Sequence, residues 1–200
     1  NTGGILVFDL PDLPQQGGHH IRVFDNKSID NDTDNFAPEG NIVGEVPRGT
    51  GIIIMANSDV EIFDNLMSGN GTVNLSIVSY GDETDDPNYY PHPKNIQVHG
   101  NTYGPSGFDP DIETGELAKA LFEISGGNMP DIFWDGIVPL SQIIFGQPDD
   151  EKLIIAEEDA SFLTIKPIKY MLGFSDPTNT NKDDFKGEIS PLKEINLETF

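Results

Sequence analysis

"VEIFDN" at residues 60–65 has two echoes in the chain, "IRVFDN" at 21–26 and "IQVHGN" at 96–101. Superposed on their asparagines, Asn26, Asn65 and Asn101, the segments align their apolar pairs: Ile21 with Val23, Val60 with Ile62, Ile96 with Val98. Each pair flanks a polar residue, Arg22, Glu61 or Gln97. Alternation with period two is the signature of a strand with one buried face. A strand rewritten at intervals predicts a repeated unit that buries its face against its own copies.

A second set of strands reads "GILVFDL" at 4–10, "GIIIMA" at 51–56 and "NLSIVSY" at 74–80. Ile52 and Leu75 are 23 residues apart, a length that suits one turn of a solenoid built from short strands and tight corners. The asparagine spacings of 39 and 36 residues are longer. Polar stretches rich in Gly, Pro, Asn and Asp, "NDTDNFAPEGNIVGEVPRG" and "GDETDDPNYYPHPK", account for the excess as loops. The fold expected is all-β, a right-handed parallel β-helix with long loops and a short helix. Its coils occupy residues 1–165, and residues 166–200 form a capping tail.

The repeated asparagine has a physical reason. A strand that turns sharply favours a residue tolerant of left-handed backbone, and Asn is one. In register, its amides can stack, each donating to one neighbour and accepting from the other. Downstream, "LIIAEEDASFLTI" at 153–165 fits the same template with Leu153 and Ile155 inward, which puts Glu158 at the asparagine position and ends the ladder. "TGELAKALFEISGG" at 114–127 reads as the helix, with Leu117, Leu121 and Ile124 on one face and Gly126 and Gly127 as the stop.

Composition excludes several functions. Thirty-four acidic against eleven basic residues give a net charge of −23, which repels nucleic acid and anionic membrane surfaces. There is no cysteine, so disulfides, thiolate metal sites and cysteine nucleophiles are absent. No apolar run is long enough to span a membrane.

The segments "NTGGILVFDLPDLP", "RVFDN", "NFAPEGNIVGEVPRGTGIIIMA", "VEIFDN", "NIQVHGN" and "PDIFWDGI" resemble a family of parallel β-helix repeat proteins of environmental, often marine, bacteria. The likeness runs from residue 1 into "SPLKEINL". The resemblance implies a right-handed β-helix exported to the periplasm, cell surface or beyond, often as a lipoprotein, and a c-type cytochrome-like protein as partner. It implies no established activity. Family members carry coils ahead of "NTGGILVFDL", so the chain resembles their C-terminal portion, and its first coil becomes a candidate surface for self-assembly. Members also carry cysteines near their end, and this chain has none.

Two classes of function follow. One is a binding or assembly module, with polysaccharide as ligand. The other is a polysaccharide lyase or epimerase, which needs a cation against the substrate carboxylate, a base and an acid. Arg48, His92, His99 and Tyr103 are the catalytic candidates, and Tyr80, Tyr89 and Tyr90 are further candidates for the same chemistry. In "DNDTDN", Asp30, Asp32 and Asp34 alternate as in the opening of a calcium loop, with hard oxygen ligands at a spacing that converges if the loop curls. Asn35 and Asn41 replace the glycine and glutamate of that pattern, and Glu39 is the nearest acid able to substitute. Trp134 in "PDIFWDGIV" reads as packed against the stack rather than as a sugar platform.

Overall fold

The computed structural model describes residues 1–38 and 40–194. Its strands are β1 (Gly3–Phe8), β2 (His19–Phe24), β3 (Lys27–Ile29), β4 (Thr50–Met55), β5 (Ser58–Phe63), β6 (Leu66–Ser68), β7 (Val73–Val78), β8 (Lys94–His99), β9 (Thr102–Tyr103), β10 (Ile132–Trp134), β11 (Leu153–Ala156), β12 (Phe162–Ile165) and β13 (Thr178–Asn179). They form three sheets with orders β1-β4-β7-β10-β12-β13, β11-β8-β5-β2 and β3-β6-β9. Up to β9 the chain visits the three sheets in rotation. Every described pairing is parallel except that of β13, which runs antiparallel to β12. The protein is β-rich, with short helices α1 (Glu116–Ile124), α2 (Leu140–Phe145) and α3 (Pro167–Met171). None of the described helices is long and apolar enough to cross a membrane.

Register follows the hydrophobic pattern. Ile21, Val60, Ile96 and Leu153 pair in a row, as do Val23, Ile62, Val98 and Ile155. In the first sheet Ile5, Ile52, Leu75 and Ile132 form the matching row, and Ile52 meets Leu75 at the 23-residue spacing. These rows make one core, and each fully buried Ile, Leu or Val adds roughly 1.5–3 kcal/mol. A slip of one residue would turn every row outward.

β4 and β7 are buried on both faces. Their outward residues Ile53, Met55 and Val78 join Phe133, Leu163 and Leu121 of α1 in a second apolar cluster. Leu117 and Ile124 of α1 also pack there, so the helix face predicted from the sequence is the one that docks. Gly126 and Gly127 follow at φ 61° and 84°, left-handed values that end the helix. Trp134 packs inward and meets Phe185 edge-on at 5.6 Å, while Phe162 meets the same ring at 4.9 Å. Phe185 and β13 thus cover one end of the core.

The asparagine ladder is present. Asn26 Nδ2 donates to Asn65 Oδ1 at 3.0 Å and Asn65 Nδ2 to Asn101 Oδ1 at 2.9 Å. The backbone N–H groups of Asn26 and Asn65 donate to the same oxygens, at 3.1 and 3.0 Å. Two details differ from the sequence reading. The left-handed residue is the one before the asparagine: Asp25, Asp64 and Gly100 have φ of 55°, 54° and 66°. The preceding residue bends the strand, which leaves the asparagine free to point into the corner. The ladder also ends on Glu157, not Glu158, since Glu157 Oε1 accepts from Asn101 Nδ2 at 2.7 Å and from its backbone N–H at 3.1 Å.

A second column was not read from the sequence. Asn31 Nδ2 donates to Asn70 Oδ1 at 2.9 Å, Asn70 Nδ2 to Asn74 Oδ1 at 2.8 Å, and Asn74 Nδ2 to Asp131 Oδ1 at 3.1 Å. Its first two members again follow left-handed residues, Asp30 and Gly69.

Asn65 is 1% exposed and joins both halves of the first ladder. Replacing it with leucine removes the acceptor of the Asn26 backbone N–H and the Asn65 amide's own bonds to Val23 O, Phe63 O and Asn101 Oδ1. Asn65→Leu should lower unfolding stability by about 1–3 kcal/mol in denaturant titrations. A midpoint equal to that of the parent would show that the ladder carries no stability.

Candidate functional site

The outward face of the first sheet floors a cleft of about 730 Å³. Phe8, Ile53, Met55, Val78, Phe133 and Ile165 form the floor. The walls are a 3-10 turn at Ile42–Glu45, the segment Tyr80–Asp82 leaving β7, and the start of α1 with Glu116. Strand alternation explains the floor, because the partners of these residues point into the core. Loops placed at strand ends explain the polar walls.

Electrostatics give the cleft its character. Asp135, beside the end of β7, accepts from the backbone N–H of Ser79 at 2.6 Å and of Ile137 at 3.0 Å. Burial outweighs those bonds and pushes its carboxyl up to about 6. Glu45 is raised by burial and then by the neighbouring charges of Asp82 and Glu116. Tyr80 is raised by burial and by Asp82. No lysine or arginine stands among the described lining residues. The site therefore offers carboxylate acceptors over an apolar floor.

His92 stands beside this cleft, with Nδ1 3.1 Å from the hydroxyl of Ser79, and burial lowers its pKa. Tyr90 meets its ring edge-on at 5.5 Å, and Tyr89 donates its hydroxyl to Asp9 O at 2.7 Å. Arg48 lies elsewhere, in a cleft of about 750 Å³ walled by Asp109, Asp111 and Phe122. Its guanidinium already faces Asp109 at 3.0 Å and Asp34 at 3.6 Å. His99 and Tyr103 belong to a third place, at the foot of the first ladder. The Tyr103 hydroxyl donates to Glu157 at 3.3 Å, and its pKa is raised well above normal by burial and by that carboxylate. The four catalytic candidates are thus distributed over three surfaces.

The aspartates of "DNDTDN" each have their own neighbour. Asp30 is a left-handed corner residue with its carboxylate against Gly69, Asp32 accepts from Gly71 N at 2.9 Å, and Asp34 faces Arg48. Asn31 between them turns inward to the second column. Among the described residues no group of three or more His, Asp or Glu side chains is placed to hold an ion. Glu39 lies outside the described residues.

One polar surface escaped the sequence reading. Arg22, Glu61 and Gln97 pair in register along the outward face of the second sheet. Glu61 is only 1% exposed, with Arg22 Nε at 3.4 Å and His99 Nε2 at 3.1 Å from its carboxylate. Beside it the rings of Phe24, Phe63 and His99 stack in order at 5.0 and 5.3 Å, with the Arg22 guanidinium over the two phenylalanines. Polar residues at alternate strand positions are visible in the sequence. Their burial is not, because it depends on a segment more than ninety residues downstream of Gln97.

Comparison with protein-family models, with curated proteins and with solved structures finds no match for this chain.

The Asp135 shift predicts a pH effect. The folded state holds this proton more tightly than the unfolded chain, whose carboxyl titrates near 3.8. That stabilisation is full below about pH 4 and is lost as the pH rises through about 6, an effect of roughly 2–3 kcal/mol. Asp135→Asn retains an acceptor for the N–H of Ser79 and removes the titration. Relative to the parent, it should gain stability between pH 4 and pH 7 in denaturant titrations, by about that amount. A constant difference across that range would contradict the buried, shifted carboxyl.

Proposed function

We propose that the three sheets are the faces of a right-handed parallel β-helix, and that the chain acts as an exported, rigid binding and assembly module. The rotation of the chain through three parallel sheets supports the solenoid, and the near-universal right-handedness of parallel crossovers supports its hand. Export and a c-type cytochrome-like partner rest on the sequence resemblance.

The observation that carries assembly is the chemical polarity of the sheet edge formed by β1, β2 and β3. β1, β2 and β3 each stand at the end of a sheet, with a strand neighbour on one side only among the described residues. Both asparagine columns donate away from this edge and present acceptors toward it. A strand docking in the parallel sense would bring N–H donors to Asn26 Oδ1 and Asn31 Oδ1, as Asn26 brings two to Asn65. Exposed strand edges pair readily with other chains. Concentration-dependent association in sedimentation velocity is expected. A monomer at every concentration would sink the assembly reading.

A second reading concerns the acidic cleft. Apolar floor and carboxylate acceptors suit the C–H faces and hydroxyls of a neutral sugar, and they disfavour the polyuronates that a lyase or epimerase of that class attacks. The engagement of Arg48 with Asp34 and Asp109 likewise favours binding over lyase chemistry. Calorimetry with neutral glycans and with alginate or pectin separates the two. Heat from the neutral class, lost in Asp82→Lys, is the expected outcome; binding or cleavage of polyuronates alone would favour the enzyme.

A further inference from the structure

The segment that buries Glu61 is the C-terminal end of the described chain. It crosses the second sheet strand by strand. Gly187 lies against Ile154 of β11, so close that an added Cβ would stand 2.9 Å from that side chain. Ser190 then meets Gln97 of β8 twice, its N–H donating to Oε1 at 2.7 Å and its carbonyl accepting from Nε2 at 3.0 Å. The N–H of Leu192 donates to Glu61 Oε2 of β5 at 3.0 Å, and Glu194 reaches Arg22 of β2 at 4.0 Å. Residues 190, 192 and 194 thus fall on successive strands, because alternate residues of an extended segment face the same way.

Two features of this contact matter. The polar column holds the segment by its backbone: three of the four polar contacts, those to Ser190 and Leu192, go to main-chain atoms. The segment also has no fully buried apolar anchor, since none of residues 186–194 is buried and most are exposed. A strap held by a few polar bonds and by half-buried Ile189 and Leu192 opens at lower free energy than the core beneath it. Glu61 opposes simple loss of the strap, because an empty column leaves a buried carboxylate short of a donor. A second extended segment of the same backbone pattern satisfies it equally well.

We propose that the Arg22–Glu61–Gln97 column is a docking groove for an extended polypeptide, and that the C-terminal segment of a second copy can replace the chain's own. The exchange links two copies through their straps, independently of the β1, β2 and β3 edge. Net charge of −23 opposes the approach of two copies, so exchange strengthens with salt.

The absence of native cysteine makes the test direct. Ile154→Cys/Gly187→Cys in one chain should oxidise to an intramolecular disulfide and stay monomeric. Ile154→Cys mixed with Gly187→Cys should give a disulfide-linked heterodimer above the homodimer background of either variant alone. The heterodimer should increase at about 0.5 M salt and be lost when excess synthetic peptide GEISPLKE, residues 187–194, competes for the groove. Three results would overturn the proposal: no heterodimer at any concentration, a heterodimer indifferent to the peptide, or a double variant that fails to close within the chain.

Discussion

Everything in this protein depends on keeping parallel strands in register. A parallel ladder spaces its hydrogen bonds evenly and has no preferred offset of its own. Two other features set the offset. The core rows fix the inward face, since Ile, Val and Leu on adjacent strands must meet at the same height. The asparagine columns then fix the position along the strand, because an amide that donates both to a main-chain carbonyl and to the next amide has one place to stand. Hydrophobic burial supplies most of the energy, and the amides supply the uniqueness.

The corners show how local and global choices agree. A left-handed residue followed by asparagine recurs at Asp25–Asn26, Asp30–Asn31, Ala56–Asn57, Asp64–Asn65, Gly69–Asn70 and Gly100–Asn101. The first residue of each pair redirects the chain, and the second consumes the polar groups that the bend exposes. Asn57, for example, donates to the carbonyls of Val7 and Met55. Only two of these six bends use glycine, so the conformation is tolerated elsewhere at a cost of about 1 kcal/mol or more each. The hydrogen bonds of the asparagine that follows help hold each bend in place, since most of the left-handed residues themselves are exposed.

The rows of the fold were legible because they obey period two and recur with matched spacing. Ile21, Val60 and Ile96 announced one sheet, and Ile52 with Leu75 announced another. The second asparagine column was legible in principle: Asn31 and Asn70 are separated by the same 39 residues as Asn26 and Asn65. Its continuation through Asn74 and Asp131 was not, since the chain reaches those positions through a four-residue step and a long excursion. The cleft is assembled from a turn near residue 45, a loop near 82, a helix at 116 and a carboxylate at 135. No local pattern connects such distant pieces, and Asp135 looks like any other acid in a chain that has thirty-four. The "DNDTDN" stretch carries two patterns at once: its aspartates match a ligand spacing, and the bend at Asp30 with the inward turn of Asn31 builds a corner.

The direction of the hydrogen bonds has a mechanical meaning. Between strands they run along the stacking direction, and so do both amide columns. A load applied along that direction meets the bonds one strand at a time and peels the structure from its end. A load across it, along the strands, must break a whole sheet contact at once. A protein of this build is therefore soft to one pull and stiff to the other, and the place where it is tethered decides which of the two its surroundings feel.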